Sequence, residues 1–210
     1  VPPTAPGASD PYWANVVSLL HFAGSADSTT FTDERGKIWA ADGNAKLSSV
    51  DSRFGGTSLI CDGSADHITT PAHADFDFAA GDFTVEFWVR RSNNNQFFRL
   101  FGLDSGGTSQ LLVQMMCAGD AAAYLVLTVS GTQILTSTTL IPALPSPWSH
   151  VALVRSGGTY KFFIDGVFAG SAASAVSLPQ CSVYFGGTLA GSLGLYGYAD
   201  ELRITKGLAR

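Results

Sequence analysis

Glutamate and lysine are nearly missing from this chain. Among its 210 residues only Glu34, Glu86 and Glu201 are glutamates, and only four residues are lysines. Long polar side chains populate exposed helix faces, so their scarcity argues against a helical protein. Charged residues of every kind reach 14%, against about 25% in an average soluble domain. Hydrophobic residues make up 46%, which excludes a disordered chain. Apolar runs are short, as at Val16-Val17 and Leu19-Leu20, far from the ~18 residues that mark a membrane helix. No membrane insertion is expected. Twelve basic residues stand against 17 acidic ones, with no cluster beyond Arg90-Arg91. A net charge of −5 without a basic patch speaks against nucleic acid as a partner.

Signatures of chemistry are sparse as well. Three cysteines allow at most one internal disulfide. Cys61 and Cys181 stand in strand-like contexts, where a free thiol packs as a small hydrophobe. Their spacing does not form a zinc motif, nor does that of His21, His67, His73 and His150. There is no Gly-x-Ser-x-Gly elbow, P-loop or dinucleotide fingerprint. Asp62-Gly63-Ser64-Ala65-Asp66 has the composition of a calcium loop but lacks a distal Glu, and reads as a turn. Glycosidic cleavage needs two carboxylates about 5–9 Å apart. Glu86 has no acid two residues to either side, and the three glutamates are isolated in sequence. A non-enzymatic role is therefore expected, with a polysaccharide hydrolase as the remote alternative.

What the chain does have is turn-punctuated alternation. Residues 1–11 carry four prolines among small residues and read as a semi-rigid linker, followed by one domain over 12–210. Val1 in place of an initiating Met is expected of a processed or excised chain. Phe83–Arg90 is the clearest strand: Phe83, Val85, Phe87 and Val89 share one face, and Thr84, Glu86, Trp88 and Arg90 the other. His150–Arg155, Tyr160–Ile164 and Val167–Ala169 form a meander whose Asp165-Gly166 step signals a hairpin. Further strands are expected at Val16–Phe22, Ser58–Cys61, Leu111–Met116, Tyr124–Val129, Ile134–Thr136, Val183–Phe185 and Leu202–Thr205. One helical turn is expected within Ala72–Asp77, and a loop over the Ser/Ala-rich residues 171–180. About a dozen short strands at this spacing predict an all-β, two-sheet sandwich or barrel.

Four ordered blocks resemble the laminin-G-like, concanavalin A-like lectin/glucanase superfamily. They are Phe54-Gly55-Gly56-Thr57-Ser58-Leu59 with Asp62-Gly63-Ser64, Gly81–Val89, Trp148–Arg155 with Phe163-Ile164-Asp165-Gly166-Val167, and Asp200–Arg210. The resemblance implies an antiparallel jelly-roll sandwich. A narrower likeness, in Tyr12–His21, Ser28–Asp33 and Ile204–Arg210, is to such modules in bacteriophage tail-fibre and virion proteins. It implies a virion setting, a host surface carbohydrate or receptor as partner, contact with other virion proteins and multi-copy assembly. Hydrolases of the superfamily set two Glu and an Asp on alternate positions of one strand, and no such trio stands here.

The same resemblance implies calcium as the cofactor, held between an early loop and the closing strand. Its candidate ligands are Asp33 and Asp200, with Asp27 contributing. Where the family often has Asp after a His-Phe-like pair, this chain has Ala23. The alternative is that Asp33 and Asp200 hydrogen-bond turns. Ligand contact is expected from two aromatic segments read as loops. Asn94 and Gln96 would pair with sugar hydroxyls, and Tyr196 and Tyr198 would stack on sugars or pack against a neighbouring subunit. Phe97-Phe98 can equally open the next strand. A purely structural or decoration module, acting through protein–protein contacts, is the rival reading.

Overall fold

The computed structural model describes residues 10–93, 97–117, 121–187 and 193–210. Its strands run in chain order as β1 (Val16–Leu20), β2 (Phe31–Thr32), β3 (Ile38–Asp42), β4 (Lys46–Ser48), β5 (Ser58–Asp62) and β6 (His67–Thr70). There follow β7 (Phe83–Arg91), β8 (Phe97–Ser105), β9 (Thr108–Cys117), β10 (Ala123–Val129) and β11 (Thr132–Thr136). The chain closes with β12 (Ser149–Ser156), β13 (Thr159–Ile164), β14 (Val167–Ala173), β15 (Ser182–Phe185) and β16 (Tyr196–Lys206). Two single 3-10 turns, Trp13–Asn15 and Ala74–Phe76, are the helical content of the described residues. The second falls inside the predicted Ala72–Asp77 segment.

The strands form two antiparallel sheets. The first has the order β14-β13-β12-β7-β16-β5-β4, with β1 also paired to β16, and the second β11-β10-β9-β8-β15-β6-β3-β2. This is the sandwich that the alternation predicts. Phe83, Val85, Phe87 and Val89 of β7 are all buried, while Glu86, Trp88 and Arg90 stay partly exposed on the opposite face. Between the sheets Phe185 of β15 stacks on Phe22, with ring centroids 6.0 Å apart, and meets Phe87 edge-on at 5.1 Å. On β7, one face thus fills the core and the other lies on the outside of the sheet.

The β13–β14 hairpin turns on Asp165 and Gly166, with φ of 50° and 77°, the double left-handed step that suits a two-residue hairpin. Gly187 departs from its neighbour Gly186, whose φ is 85°. It is not left-handed, and a Cβ there would lie 2.7 Å from the Asp66 carbonyl oxygen, so close backbone approach selects it.

Several expectations need correction. The loop predicted over 171–180 starts later, because β14 continues through Ala173 against Thr159 and Tyr160. Tyr196 and Tyr198 are not loop residues but open the longest strand, β16. Phe97 opens β8. Asp10, inside the expected linker, pairs with Arg203 of β16 and accepts the Tyr12 N–H at 2.9 Å. Cys61, Cys117 and Cys181 are buried and form no disulfide with one another, and burial pushes the Cys181 thiol up to about 11.

Candidate functional site

On the outer face of the first sheet, β1, β16, β7 and β12 run side by side and form the floor of a groove of about 220 Å3. Its contents follow from register. The inward set on β7 forces Glu86 and Trp88 outward. Trp88 lies opposite His150 on β12, and Glu86 opposite Arg203 on β16. The rings of Trp88 and His150 sit 5.2 Å apart. Glu86 is ringed by bases: His150 at 3.6 Å, Arg203 at 3.7 Å and Arg210 at 3.4 Å.

The β16 strand reaches the groove through an irregularity between Asp200 and Arg203. There Glu201 adopts φ 55°, a left-handed conformation that costs a non-glycine residue about 1–2 kcal/mol. The kink carries the Glu201 carboxylate to within 2.9 Å of His21 Nδ1. That hydrogen bond holds the His21 imidazole above its ordinary pKa against the opposing effect of burial. His150 is shifted the other way, held below its usual value by burial, with the Glu86 charge opposing.

The groove's third wall is the loop between β4 and β5. Buried Asp200 holds it, since its Oδ2 accepts the backbone N–H groups of Arg53 at 2.9 Å and Phe54 at 3.0 Å. Its Oδ1 accepts the Glu201 N–H at 3.0 Å. Burial pushes the Asp200 carboxyl up to about 7, although these backbone donors pull it down. The pinned loop sets Phe54 edge-on to Trp88, with centroids 6.0 Å apart. It also lays the Arg53 guanidinium 4.3 Å from the Trp88 ring centroid and 4.9 Å from that of Phe54. The site is thus an aromatic floor surrounded by polar heads.

The residues singled out from sequence fall elsewhere or serve differently. Asn94 and Gln96 lie outside the described residues. Tyr196, 39% exposed, stands over Gly63, where a Cβ would lie 2.9 Å from its ring. Tyr198 neighbours Trp148 at 6.4 Å. Neither tyrosine lines the groove. Asp27 is exposed and pairs with Lys46 at 2.6 Å. Asp33 is buried and accepts four donors: Ser18 Oγ at 2.5 Å, Arg35 N–H at 2.6 Å, Trp39 Nε1 at 3.0 Å and Leu19 N–H at 3.4 Å.

Calcium needs six to eight oxygen ligands converging on one point. Asp33 and Asp200 instead turn their oxygens to N–H and O–H donors. Among the described residues no three of His, Cys, Asp and Glu are placed to hold a metal. The donor set does not fit calcium, and the hydrogen-bonding role weighed for Asp33 and Asp200 is the one the geometry displays. The Asp62–Asp66 stretch is likewise a turn: Asp62 Oδ1 accepts the Ser64 N–H at 2.9 Å. Asp66 beside it lines a second hollow of about 410 Å3, but its carboxyl is spent on the N–H groups of Asn44 and Asp62.

Glu86 and Glu201, isolated in sequence, share the groove. Sequence reasoning missed His21, Arg53, Phe54, Glu201 and Arg203 as a group. The outward positions of the Phe83–Arg90 and Trp148–Arg155 strands were the signal that could have found Glu86, Trp88 and His150. Glu201 was not available that way, because a bulge carries it there.

Comparison with known proteins bears on the fold. No curated protein matches the chain at a significant level. Among solved structures, domain 4 of AbnA, a GH43 extracellular arabinanase from Geobacillus stearothermophilus, in complex with arabinotriose, superposes with a TM-score of 0.69 at 17% identity. That match covers 93% of this chain and 94% of that one. The binding domain of Paraclostridial Mosquitocidal Protein 1 gives 0.65 at 14% identity, and that of Botulinum Neurotoxin DC in complex with SialylT 0.59 at 12%. These matches cover 93% and 92% of this chain, which spans 50% and 48% of the two toxin domains. At such identities they speak for the fold alone. Residues 62–208 match the model of one family directly, and the chain belongs to the concanavalin A-like lectin/glucanases superfamily.

Proposed function

We propose that this protein is a non-catalytic recognition module that binds host-surface carbohydrate or a glycosylated receptor, displayed in many copies on a bacteriophage particle. The observation that carries the reading is the groove itself. Trp88, flanked by Phe54, offers an apolar ring face, and the carboxylates, imidazoles and guanidinium groups around it are fixed by one another. Sugar binding asks for such an aromatic floor with a few convergent polar groups. Likeness of fold to domains seen with arabinotriose and SialylT supports a glycan as the ligand class. The non-catalytic reading is supported by the engagement of both groove glutamates: Glu201 is tied to His21, and Glu86 to three bases. The virion setting rests on the likeness of Tyr12–His21 and Ile204–Arg210 to modules of phage fibres. Weak affinity at one groove would be multiplied by display of many copies.

The test is a screen of the folded chain on arrays of bacterial polysaccharides and glycans, with calcium and again with chelator. The expected result is retention that survives chelation and leaves the ligand intact. Trp88→Ala should weaken it about tenfold or more, the scale of losing one large apolar contact. Silence of a folded protein on every array overturns the reading, and ligand cleavage overturns its non-catalytic part.

The structural or decoration role is kept as a second reading by one feature. Val167, Phe168 and Leu140 are 56%, 53% and 48% exposed along the β14 edge, where Thr139 Oγ1 donates to the Phe168 carbonyl. Silent arrays together with concentration-dependent assembly would favour it.

A further inference from the structure

We infer that the groove selects a sugar bearing a carboxylate, and that Arg53 is the residue that reads this charge. The inference rests on the recognition reading above and deepens it.

The cations in and beside the groove, Arg53 excepted, face carboxylates. His21 is bound to Glu201 at 2.9 Å, and His150 faces Glu86 at 3.6 Å. Arg203 is held by Asp10 and by Glu86, and Arg210 by Glu86 at 3.4 Å. Arg90, on the same face, pairs with Asp51. Arg53 differs from all of these. Among the described residues no carboxylate pairs with its guanidinium, although the chain carries 17 acids for 12 bases. Asp200 does approach this residue, but on the backbone side, where it accepts the Arg53 N–H.

The side chain is exposed, yet it is not loose. Asp200 fixes the main chain on both sides of the Arg53–Phe54 peptide, and the guanidinium rests on two aromatic rings. An exposed arginine that is pre-positioned and unpaired keeps its planar fork of N–H donors for an incoming acceptor. A carboxylate matches that fork with two parallel hydrogen bonds. The guanidinium lies over the Trp88 ring, 4.3 Å from its centroid, so a sugar seated in the groove beside Trp88 would present a ring substituent to its fork. Glu86 opposes an anion little here, because Arg203 and Arg210 face it, and Glu201 is turned to His21, whose imidazole this pairing holds above its ordinary pKa. A neutral sugar would use the floor and leave Arg53 to water.

The experiment uses the intact chain and matched oligosaccharides: oligogalacturonate against its methyl ester, and sialyllactose against lactose. Affinities are read by calorimetry at low and high salt. At least one acidic member should bind about tenfold or more tightly than its neutral counterpart, the scale of a charge-assisted hydrogen-bond pair. High salt should shrink that gap. The pair that shows the gap tells a uronate from a sialate. Arg53→Gln, checked for folding by its melting curve, should erase the preference and keep the residual neutral binding. Arg53→Lys should restore part of it. Equal affinity for acidic and neutral members, or a preference that survives Arg53→Gln, overturns the inference while the carbohydrate reading stands. Failure of both acidic ligands to bind also overturns it. The recognition reading is then judged on the arrays, where neutral glycans released by Trp88→Ala would keep it.

Discussion

Asp200 carries a carboxylate with no solvent exposure beside the charge of Glu201, and only backbone donors face it. Burial outweighs those donors, so its carboxyl titrates at about 7 instead of 3.8. The folded state therefore holds this proton more tightly than the unfolded state does. The resulting stabilisation is fully present below pH 3.8 and is lost as pH rises through about 7. A 13C titration should show the Asp200 carboxyl with a midpoint near 7, and the amides of Arg53 and Phe54 should shift with the same midpoint. A midpoint below 4 would mean that the donors dominate. Asn replacement should flatten the fall of melting temperature between pH 5 and 7. Family resemblance drew attention to Asp33 and Asp200 as candidate calcium ligands; both are buried and accept N–H and O–H donors. What each carboxylate faces was not legible, because the donors to Asp33 come from Ser18, Leu19, Arg35 and Trp39, and only the fold assembles them.

At the scale of elements, strands were legible where alternation was long and unbroken. Phe83–Arg90 shows it without interruption. β4 is three residues long, and β8 carries Arg99, Gly102 and Asp104 among its apolar positions, so neither has a clear period of two. β14 runs on into Ser/Ala sequence because pairing with Thr159 and Tyr160 overrides weak strand propensity. The loop that follows is fastened by Arg155, which is 1% exposed. Its Nη1 donates to the Ala79 carbonyl at 2.8 Å and its Nη2 to that of Val176 at 3.0 Å, with the Tyr160 ring 5.3 Å from the guanidinium. Truncation to Ala would remove both hydrogen bonds and leave a cavity where the buried guanidinium lay. Urea unfolding of Arg155→Ala should show a loss of about 2–4 kcal/mol. Arg155→Lys should recover little, since one ammonium cannot span both carbonyls. A loss under about 0.5 kcal/mol, the ordinary surface range, would show that the loop does not depend on this pin.

For the whole molecule, the alternation that made the sandwich legible also separates its core from the outer face that carries the groove. β7 faces both ways: Phe87 points to the core and meets Phe185, while Glu86 and Trp88 on either side of it point to the groove. The groove as a unit was not legible, because it draws on β1, β7, β12, β16 and the β4–β5 loop, and a bulge supplies Glu201. The two faces should nevertheless be separable by mutation. Phe185→Ala removes the ring packed against Phe22 and Phe87, and should cost about 3–5 kcal/mol in unfolding free energy. Glycan affinity of the molecules that remain folded should then stay within about twofold, since no groove side chain is altered. Trp88→Ala should do the reverse. It forfeits its contacts with Phe54, Arg53 and His150, about 1–2 kcal/mol of stability, while the glycan is lost. Urea curves and calorimetric titrations of both variants decide the matter. If Phe185→Ala weakened glycan binding as much as Trp88→Ala, the groove would depend on sheet-to-sheet packing, and its outer face could not be treated as an independent site.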